Sequence, residues 1–366
     1  MPLEDRLGLP LSTSSHEAAF SYRDGVDLML AGWTGTAEAL ERAIAIDPDF
    51  ALAHIARARV HAFYQQGDLA RSKAMLAREL VAKRGTERER SHVETLALAI
   101  EARLPEAIAA MRQHVEAWPR DAVVLSLPLG AFGLFAFSGM ADHDRARHEL
   151  CERVAQDYGE DWWFLTMYGW AMTENGDVAR GRGVTERGFN LRRANAHAAH
   201  AVLHAMFEDG SIEAADRLVD DWIPGYDRAG ILHGHIRWHQ ALGALEQDDA
   251  ARALSIYADV LQPSATQAPP LNIVTDGSLA AVAPVGLRPR RARCALARCR
   301  RRCAKTIPEI RPAVRRRPHG AVCCRNTEPR GPSRAPRGDR TAAGGRQAAG
   351  RGGGASDLPR ASGLRG

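Results

Sequence analysis

Cysteine is scarce in most of this chain: of its six cysteines, only Cys151 precedes residue 294. A single cysteine in so long a segment is typical of a protein from a reducing compartment. The N-terminus also lacks a basic segment followed by an apolar run, so no secretory signal is visible. Together these two absences lead us to expect a cytoplasmic protein.

Long apolar stretches without charge are also rare, and the one that stands out covers residues 123–140. Its 18 residues reach the lower length limit for a membrane-spanning helix. However, Pro128 and three glycines interrupt the stretch, and no basic cluster flanks it. We therefore predict a buried helix in this region and no membrane partner.

Several motifs that carry catalysis are missing. The phosphate-binding loop G-x-G-x-x-G and the nucleophile motif G-x-S-x-G are absent from the part that precedes the basic tail, and the zinc-protease motif H-E-x-x-H is absent too. These absences weaken the case for an enzyme. No cofactor is expected.

The alternation of β-branched and polar residues that marks strands is nearly absent, whereas good helix formers dominate. Alanine-rich segments recur at about the period of a helix–turn–helix repeat. In the clearest segment, residues 37–54, Leu40, Ala43 and Pro48 have the spacing of the large, small and proline positions of a tetratricopeptide second helix.

One such helix pair cannot bury its own apolar face, so pairs of this kind stack into arrays. The pattern therefore predicts an all-α fold, a tetratricopeptide-like helical-repeat solenoid of about six helix pairs. We place this solenoid at residues 15–277, after an N-terminal extension of residues 1–14.

Two later segments concentrate histidine. Residues 195–204 read N-A-H-A-A-H-A-V-L-H, and residues 233–242 read H-G-H-I-R-W-H-Q-A-L. Each contains two histidines four residues apart, which lie on one face of a helix. If the two helices meet, four imidazoles could converge on a metal ion: His200, His204, His235 and His239.

Other interpretations of these histidines remain open. We favour structural histidines that hydrogen-bond inside alanine-lined helix seams, which is ordinary for this residue type, and we do not favour a metal. A pocket for a polar ligand is a further alternative. Its candidate residues are His197, His200, His204, Arg237, Trp238 and His239.

Several segments together resemble a known family: residues 8–19, 50–59, 130–139, 158–170, 195–204, 224–239 and 269–277. The most specific are N-A-H-A-A-H-A-V-L-H and the P-G-Y-D-R-A-G-I-L-H-G-H-I-R-W-H that ends at His239. In these segments the chain resembles the tetratricopeptide repeat protein 38 family. The resemblance spans nearly everything before residue 278. It implies a soluble α-solenoid but brings no well-established biochemical activity.

The end of the chain has a different composition. From residue 288 onward, 22 basic and 4 acidic residues give a balance of +18, whereas the preceding part has 27 basic and 40 acidic residues, a balance of −13. Few large apolar residues are present, so we predict a disordered basic tail over residues 278–366. The tail departs from the family pattern, and its Arg/Gly/Pro/Ala mixture favours a frameshift product over an authentic disordered tail or a folded module.

The tail offers little evidence of a specific partner. Its cysteines have no standard zinc-binding spacing. Its arginine runs would bind nucleic acid through phosphate charge alone, because no aromatic residues are interleaved for base stacking. We therefore expect no specific nucleic-acid partner, although the tail would bind nucleic acid non-specifically.

Two functional hypotheses follow. The leading one is a protein-interaction scaffold that binds a segment of an unidentified protein partner in the solenoid groove. The alternative is a ligand- or metal-binding protein, or an enzyme, that uses the cluster His200/His204/His235/His239. A scaffold should tolerate substitution of His204 or His239, whereas a metal or ligand site should lose its occupant.

Overall fold

A computed structural model describes residues 3–131 and 133–261 of the chain. The chain begins with a small antiparallel hairpin in which β1 (Leu3–Glu4) pairs with β2 (Pro10–Leu11). Leu7 and Leu11 of this segment are buried against the helices, so the N-terminal extension packs on the body.

Fourteen α-helices follow in the described part of the chain: α1 His16–Ala31, α2 Thr36–Ile46, α3 Ala51–Phe63, α4 Gly67–Arg84, α5 Glu87–Ile100, α6 Leu104–Ala117, α7 Ala122–Leu129, α8 His143–Tyr158, α9 Trp162–Glu174, α10 Val178–Leu191, α11 Ala196–Glu208, α12 Ile212–Trp222, α13 His233–Glu246 and α14 Ala250–Ile256. A short 3₁₀-helix, Ile223–Gly225, follows α12, and a π-helical turn, Tyr257–Leu261, follows α14. Apart from the hairpin, the prediction of an all-α fold is confirmed for these residues.

Side chains of the sequence set several helix starts. Ser15 accepts a hydrogen bond from the backbone of Ala18 at the start of α1, and Thr86 and Glu89 form a capping box on α5. Asn195 caps α11 through Ala198 N–H, which fixes the start of one histidine-bearing helix. Such caps satisfy backbone N–H groups that have no partner inside the helix.

The helices pack mainly against their sequence neighbours, as expected for helix–turn–helix pairs. The odd-numbered helices also contact one another: α3 with α5, α5 with α7, α7 with α9, α9 with α11, and α11 with α13. The odd-numbered helices therefore form an inner layer. Side chains from several of these helices can face a common site.

Helices α9 and α10 approach each other unusually closely, and two glycines make this approach feasible. A Cβ atom on Gly169 would lie 2.6 Å from the backbone nitrogen of Thr185 and 2.7 Å from the carbonyl oxygen of Gly181. A Cβ on Gly181 would in turn lie 2.6 Å from the carbonyl oxygen of Gly169. This contact fixes α9, which carries one side of the histidine site.

The two ends of the inner layer meet. Tyr226, after α12, donates a hydrogen bond from its hydroxyl to the carbonyl oxygen of Gly32, 2.6 Å away, and accepts one from Leu232 N–H at 3.2 Å. The ring of Trp33 packs on Tyr226 and Trp222, with centroids 4.8 and 6.0 Å apart. Because α1 also contacts α11, the inner helices surround a central cavity.

The apolar stretch at residues 123–140 forms only the eight-residue α7, which contains Pro128 and ends before Gly130. Within the described ranges, no helix combines the length and the apolar character needed to cross a membrane. The last segment that resembles the family, residues 269–277, and the predicted tail, residues 278–366, lie outside the described residues.

Candidate functional site

The central cavity has a volume of ≈ 1520 Å³ and is lined by side chains from every odd-numbered helix. Pockets for small molecules usually measure about 300–1000 Å³, so this one is large. Its walls are mostly apolar, but two groups of polar side chains also line it. One lies on the wall formed by α11 and α13, and the other lies near the middle of α3.

On the first wall, three imidazole nitrogens converge. The Nε2 atom of His200 lies 3.0 Å from Nε2 of His204 and 3.2 Å from Nε2 of His239. Zinc–nitrogen bonds of about 2.0–2.1 Å at tetrahedral angles place ligand nitrogens about 3.3 Å apart. Two of the nitrogen–nitrogen distances are therefore close to those of a zinc site, and the ligand nitrogens of all three histidines lie within 4.8 Å of one another.

His235, the fourth histidine of the prediction, takes a different position. Its ring centre lies 4.9 Å from those of both His200 and His239, and its ring stacks on Trp238 at 5.3 Å. The group whose nitrogens could share one metal ion consists of His200, His204 and His239. The structure thus brings all four rings together, and three of them form a ligand set.

Glu174, at the end of α9, determines which nitrogen of His204 faces the cluster. Its Oε1 lies 2.9 Å from His204 Nδ1 and accepts a hydrogen bond from Trp170 Nε1–H at 3.2 Å. Burial alone would raise the pKa of Glu174, but His204, Arg147 and Trp170 outweigh it and hold the pKa below its ordinary value. An ionised carboxylate only accepts hydrogen bonds, so His204 Nδ1 carries a proton and Nε2 faces the other histidines.

The protonation of the other two rings follows from their surroundings. Burial, together with the neighbouring histidines, holds the pKa values of His200 and His239 well below the ordinary 6.5, so both rings are neutral at pH 7. Neutral imidazole is the form that binds metal ions.

The neutral rings do not form a good hydrogen-bonded network among themselves. In the neutral tautomer of His204 that carries its proton on Nδ1, Nε2 has no proton, and a single hydrogen on His200 Nε2 would have to serve both contacts, to His204 and to His239. A cation, in contrast, would be bound by three lone pairs at once. The convergence of the three nitrogens is therefore compatible with a metal ion in their midst.

A second buried group, His92, His114 and Asp121, also has the size of a metal site. However, the guanidinium of Arg88 donates to the same Asp121 Oδ2 atom at 2.7 Å that His92 approaches at 2.9 Å and His114 at 3.2 Å. Burial alone would raise the pKa of Asp121, but these partners hold it well below its usual range. A resident cation leaves no role for a metal ion, so this group is a structural ion-pair network.

The second polar part of the cavity wall contains Arg59. Its Nη1 donates to the carbonyl oxygen of Val123 at 3.0 Å and to Ser126 Oγ at 2.6 Å. Burial lowers the pKa of Arg59 to about 10. Burial and the charge of Arg59 lower the pKa of nearby His197 to about 4, so this cavity histidine is neutral at pH 7.

The residues that the sequence singled out as a ligand pocket divide as follows. Five line the cavity: His197, His200, His204, Trp238 and His239. Arg237 does not, because its guanidinium donates to Gln240 and lies 4.0 Å from Asp259. Sequence spacing did not reveal Glu174, which lies 30 residues before His204. It also gave no role to Arg59, the last residue of the segment 50–59 that resembles the family.

No protein-family model matches this chain. The resemblance to the tetratricopeptide repeat protein 38 family therefore stays a prediction, and the site is interpreted from its own geometry.

Proposed function

We propose that this chain is a tetratricopeptide-like helical-repeat protein that binds a divalent transition-metal ion, zinc in the first instance, through Nε2 of His200, His204 and His239. The observation that carries the proposal is the convergence of these three nitrogens at 3.0 and 3.2 Å. Imidazole ligands suit zinc among the common divalent metals.

The surroundings of the three histidines support the proposal. The pair of His204 with Glu174 has the carboxylate–histidine arrangement that orients metal ligands and raises their basicity. Three protein ligands leave a fourth tetrahedral position for water or a ligand, as in zinc sites that act chemically rather than structurally. The site lies on the cavity wall, so that position is reachable from the cavity.

The hypothesis of a protein partner in the groove uses the same cavity and stays a prediction. Binding of a protein partner needs no metal, so the partner hypothesis and the metal hypothesis predict different effects of the same substitutions. Removing the three histidine ligands should leave partner binding largely intact but abolish metal binding.

The test is the metal content of the purified, untagged full-length chain by elemental mass spectrometry after incubation with zinc and gel filtration. His204→Ala and His239→Ala should each lose about one zinc per chain relative to the unchanged protein. The control is His233→Ala, because His233 is buried on the same helix as His239 but lies outside the ligand group.

Comparing variants is necessary because the tail has five cysteines of its own that could bind zinc. Circular dichroism should show the same helix content in all variants. Equal zinc content in His204→Ala, His239→Ala and the unchanged chain would contradict the proposal.

A further inference from the structure

Arg59 is a cation on the wall of an apolar cavity, and it has no counter-ion among the described residues. This distinguishes Arg59 from Arg57 and Arg88. Arg57, two residues earlier and also on the cavity wall, pairs with Glu41 at 2.8 Å, and Arg88 on α5 pairs with Asp121. A partly buried charge without a partner is unfavourable. An anionic ligand would compensate the charge of Arg59.

The hydrogen bonds of Arg59 leave one edge of the guanidinium open. Both of its acceptors, Val123 O and Ser126 Oγ, are bound through Nη1. Nε and Nη2 have no acceptor among the described residues, and neither is a fully buried atom. The N–H groups of these two nitrogens form the parallel fork that matches both oxygens of a carboxylate.

The charges around the cavity favour a ligand with a single negative charge. Arg57 is already neutralised by Glu41, and three further carboxylates line the cavity: Glu38, Glu208 and Asp227. A dianion such as a phosphate monoester would meet one cation and several like charges. His197, neutral at pH 7 and near Arg59, adds an uncharged hydrogen-bonding group.

The neighbouring wall supplies the apolar part of the site. Ser126, which holds Arg59, is followed directly by Leu127, and the cavity wall continues with Leu96, Ala99, Ile100, Leu134 and Met167. The cavity of ≈ 1520 Å³ is large enough for an extended aliphatic chain.

We propose that the cavity binds an apolar monocarboxylic acid of the fatty-acid type, with its carboxylate on the Nε/Nη2 edge of Arg59 and its aliphatic chain along the apolar wall. This binding is independent of the proposed metal ion, so either proposal can fail alone.

The test is isothermal titration calorimetry of the full-length chain with decanoate, below its micellar concentration and in the presence of a metal chelator. Decanoate should bind with one ligand per chain. Arg59→Met should weaken it by about 10- to 100-fold, the usual range for a charge-assisted pair. Each methylene added to the acid should strengthen binding by about fourfold.

Two controls separate the carboxylate from non-specific binding. Arg57→Met removes a charge from the same helix and cavity, and it should change decanoate affinity by less than about threefold because Arg57 already has a partner. Decanamide should bind the unchanged chain no better than decanoate binds Arg59→Met. The basic tail is identical in every variant, so it cannot produce these differences.

Three results would overturn the proposal. They are equal decanoate affinity in Arg59→Met and the unchanged protein, no binding by any acid of six to fourteen carbons, and binding that requires the metal ion and survives in Arg59→Met. The last result would place the carboxylate on the metal rather than on Arg59.

Discussion

Glu174 is the residue on which the geometry of the proposed metal site most depends, although it is not a ligand itself. Its carboxylate fixes the proton of His204 on Nδ1 and so directs Nε2 toward His200. We expect Glu174→Ala to weaken zinc binding by about 10- to 100-fold, the usual effect of losing such a partner. Glu174→Gln keeps a hydrogen-bond acceptor but removes the charge. Its zinc affinity should lie between those of Glu174→Ala and the unchanged chain.

A competition titration with a coloured zinc chelator measures these affinities. The control Glu208→Ala removes another carboxylate from the cavity wall, one that forms no hydrogen bond with His204. If the Glu174 and Glu208 variants bind zinc equally well, the orienting role assigned to Glu174 is wrong.

His197 should make the stability of the protein depend on pH. Its pKa is about 4 in the folded chain against an ordinary 6.5, so between these values the unfolded chain binds a proton that the folded chain does not. The contribution of the neutral His197 ring to folding stability is therefore fully present above pH 6.5, and it is lost as the pH falls toward 4. Between pH 7 and pH 5 this group alone removes up to about 2 kcal/mol.

Urea unfolding of His197→Gln at these two pH values, with a chelator present, tests this expectation. The loss of unfolding free energy between pH 7 and pH 5 should be smaller by up to about 2 kcal/mol than in the unchanged chain. His16→Gln serves as the control because His16 is exposed. An unchanged pH dependence in His197→Gln would contradict the burial assigned to this ring.

The sequence predicted some of the residues of the candidate site but not all of them. Spacing of four residues was enough to place His200 beside His204, because a helix puts such residues on one face. It could not show that Glu174 meets His204 or that Arg59 has no counter-ion among the described residues, because these facts depend on contacts between distant segments. The group of Arg88, His92, His114 and Asp121 was missed for the same reason.

At the scale of elements, the contact between α9 and α10 allows a sharp comparison of glycines. Gly169→Ala and Gly181→Ala would each force a Cβ atom into backbone atoms of the facing helix, so we expect each to destabilise the fold by about 1–3 kcal/mol. Gly183 lies on α10 with open space around it. Gly183→Ala should stabilise by about 0.5–1 kcal/mol through helix propensity.

Thermal or chemical unfolding of the three variants measures these changes. Opposite signs for Gly181→Ala and Gly183→Ala, two residues apart on one helix, would be difficult to explain without the close helix contact. If both alanines stabilise, α9 and α10 do not pack as closely as described.

The helices themselves were the most predictable feature of the sequence. The break at Pro48 falls between α2, which ends at Ile46, and α3, which begins at Ala51. The turn of Asn175, Gly176 and Asp177 likewise lies between α9 and α10. Local signals suffice here, since proline, glycine and asparagine or aspartate at turns act on the backbone near them.

At the scale of the whole molecule, Tyr226 joins segments that are 194 residues apart in sequence. Tyr226→Phe keeps the ring but removes both hydrogen bonds of the hydroxyl, to Gly32 and from Leu232. We expect this to lower the free energy of unfolding by about 1–3 kcal/mol, because two buried backbone groups lose a partner.

Tyr158→Phe is the matched control, because the buried hydroxyl of Tyr158 has no hydrogen-bond partner in the part of the chain that the structure describes. Its removal should be neutral or stabilising. Equal stability of both variants would mean that the contact between Tyr226 and Gly32 does not close the inner layer of helices. No sequence pattern predicted the contact between Tyr226 and Gly32, because the two segments share no periodicity and no motif.

The measurement that tests the central claim most directly is X-ray absorption at the zinc edge on the zinc-loaded full-length chain. We predict three imidazole nitrogens at about 2.0–2.1 Å from the metal, with one imidazole lost in His239→Ala. Sulfur atoms at about 2.3 Å, which would place the zinc on cysteines, would contradict the account, as would a spectrum that His239→Ala leaves unchanged.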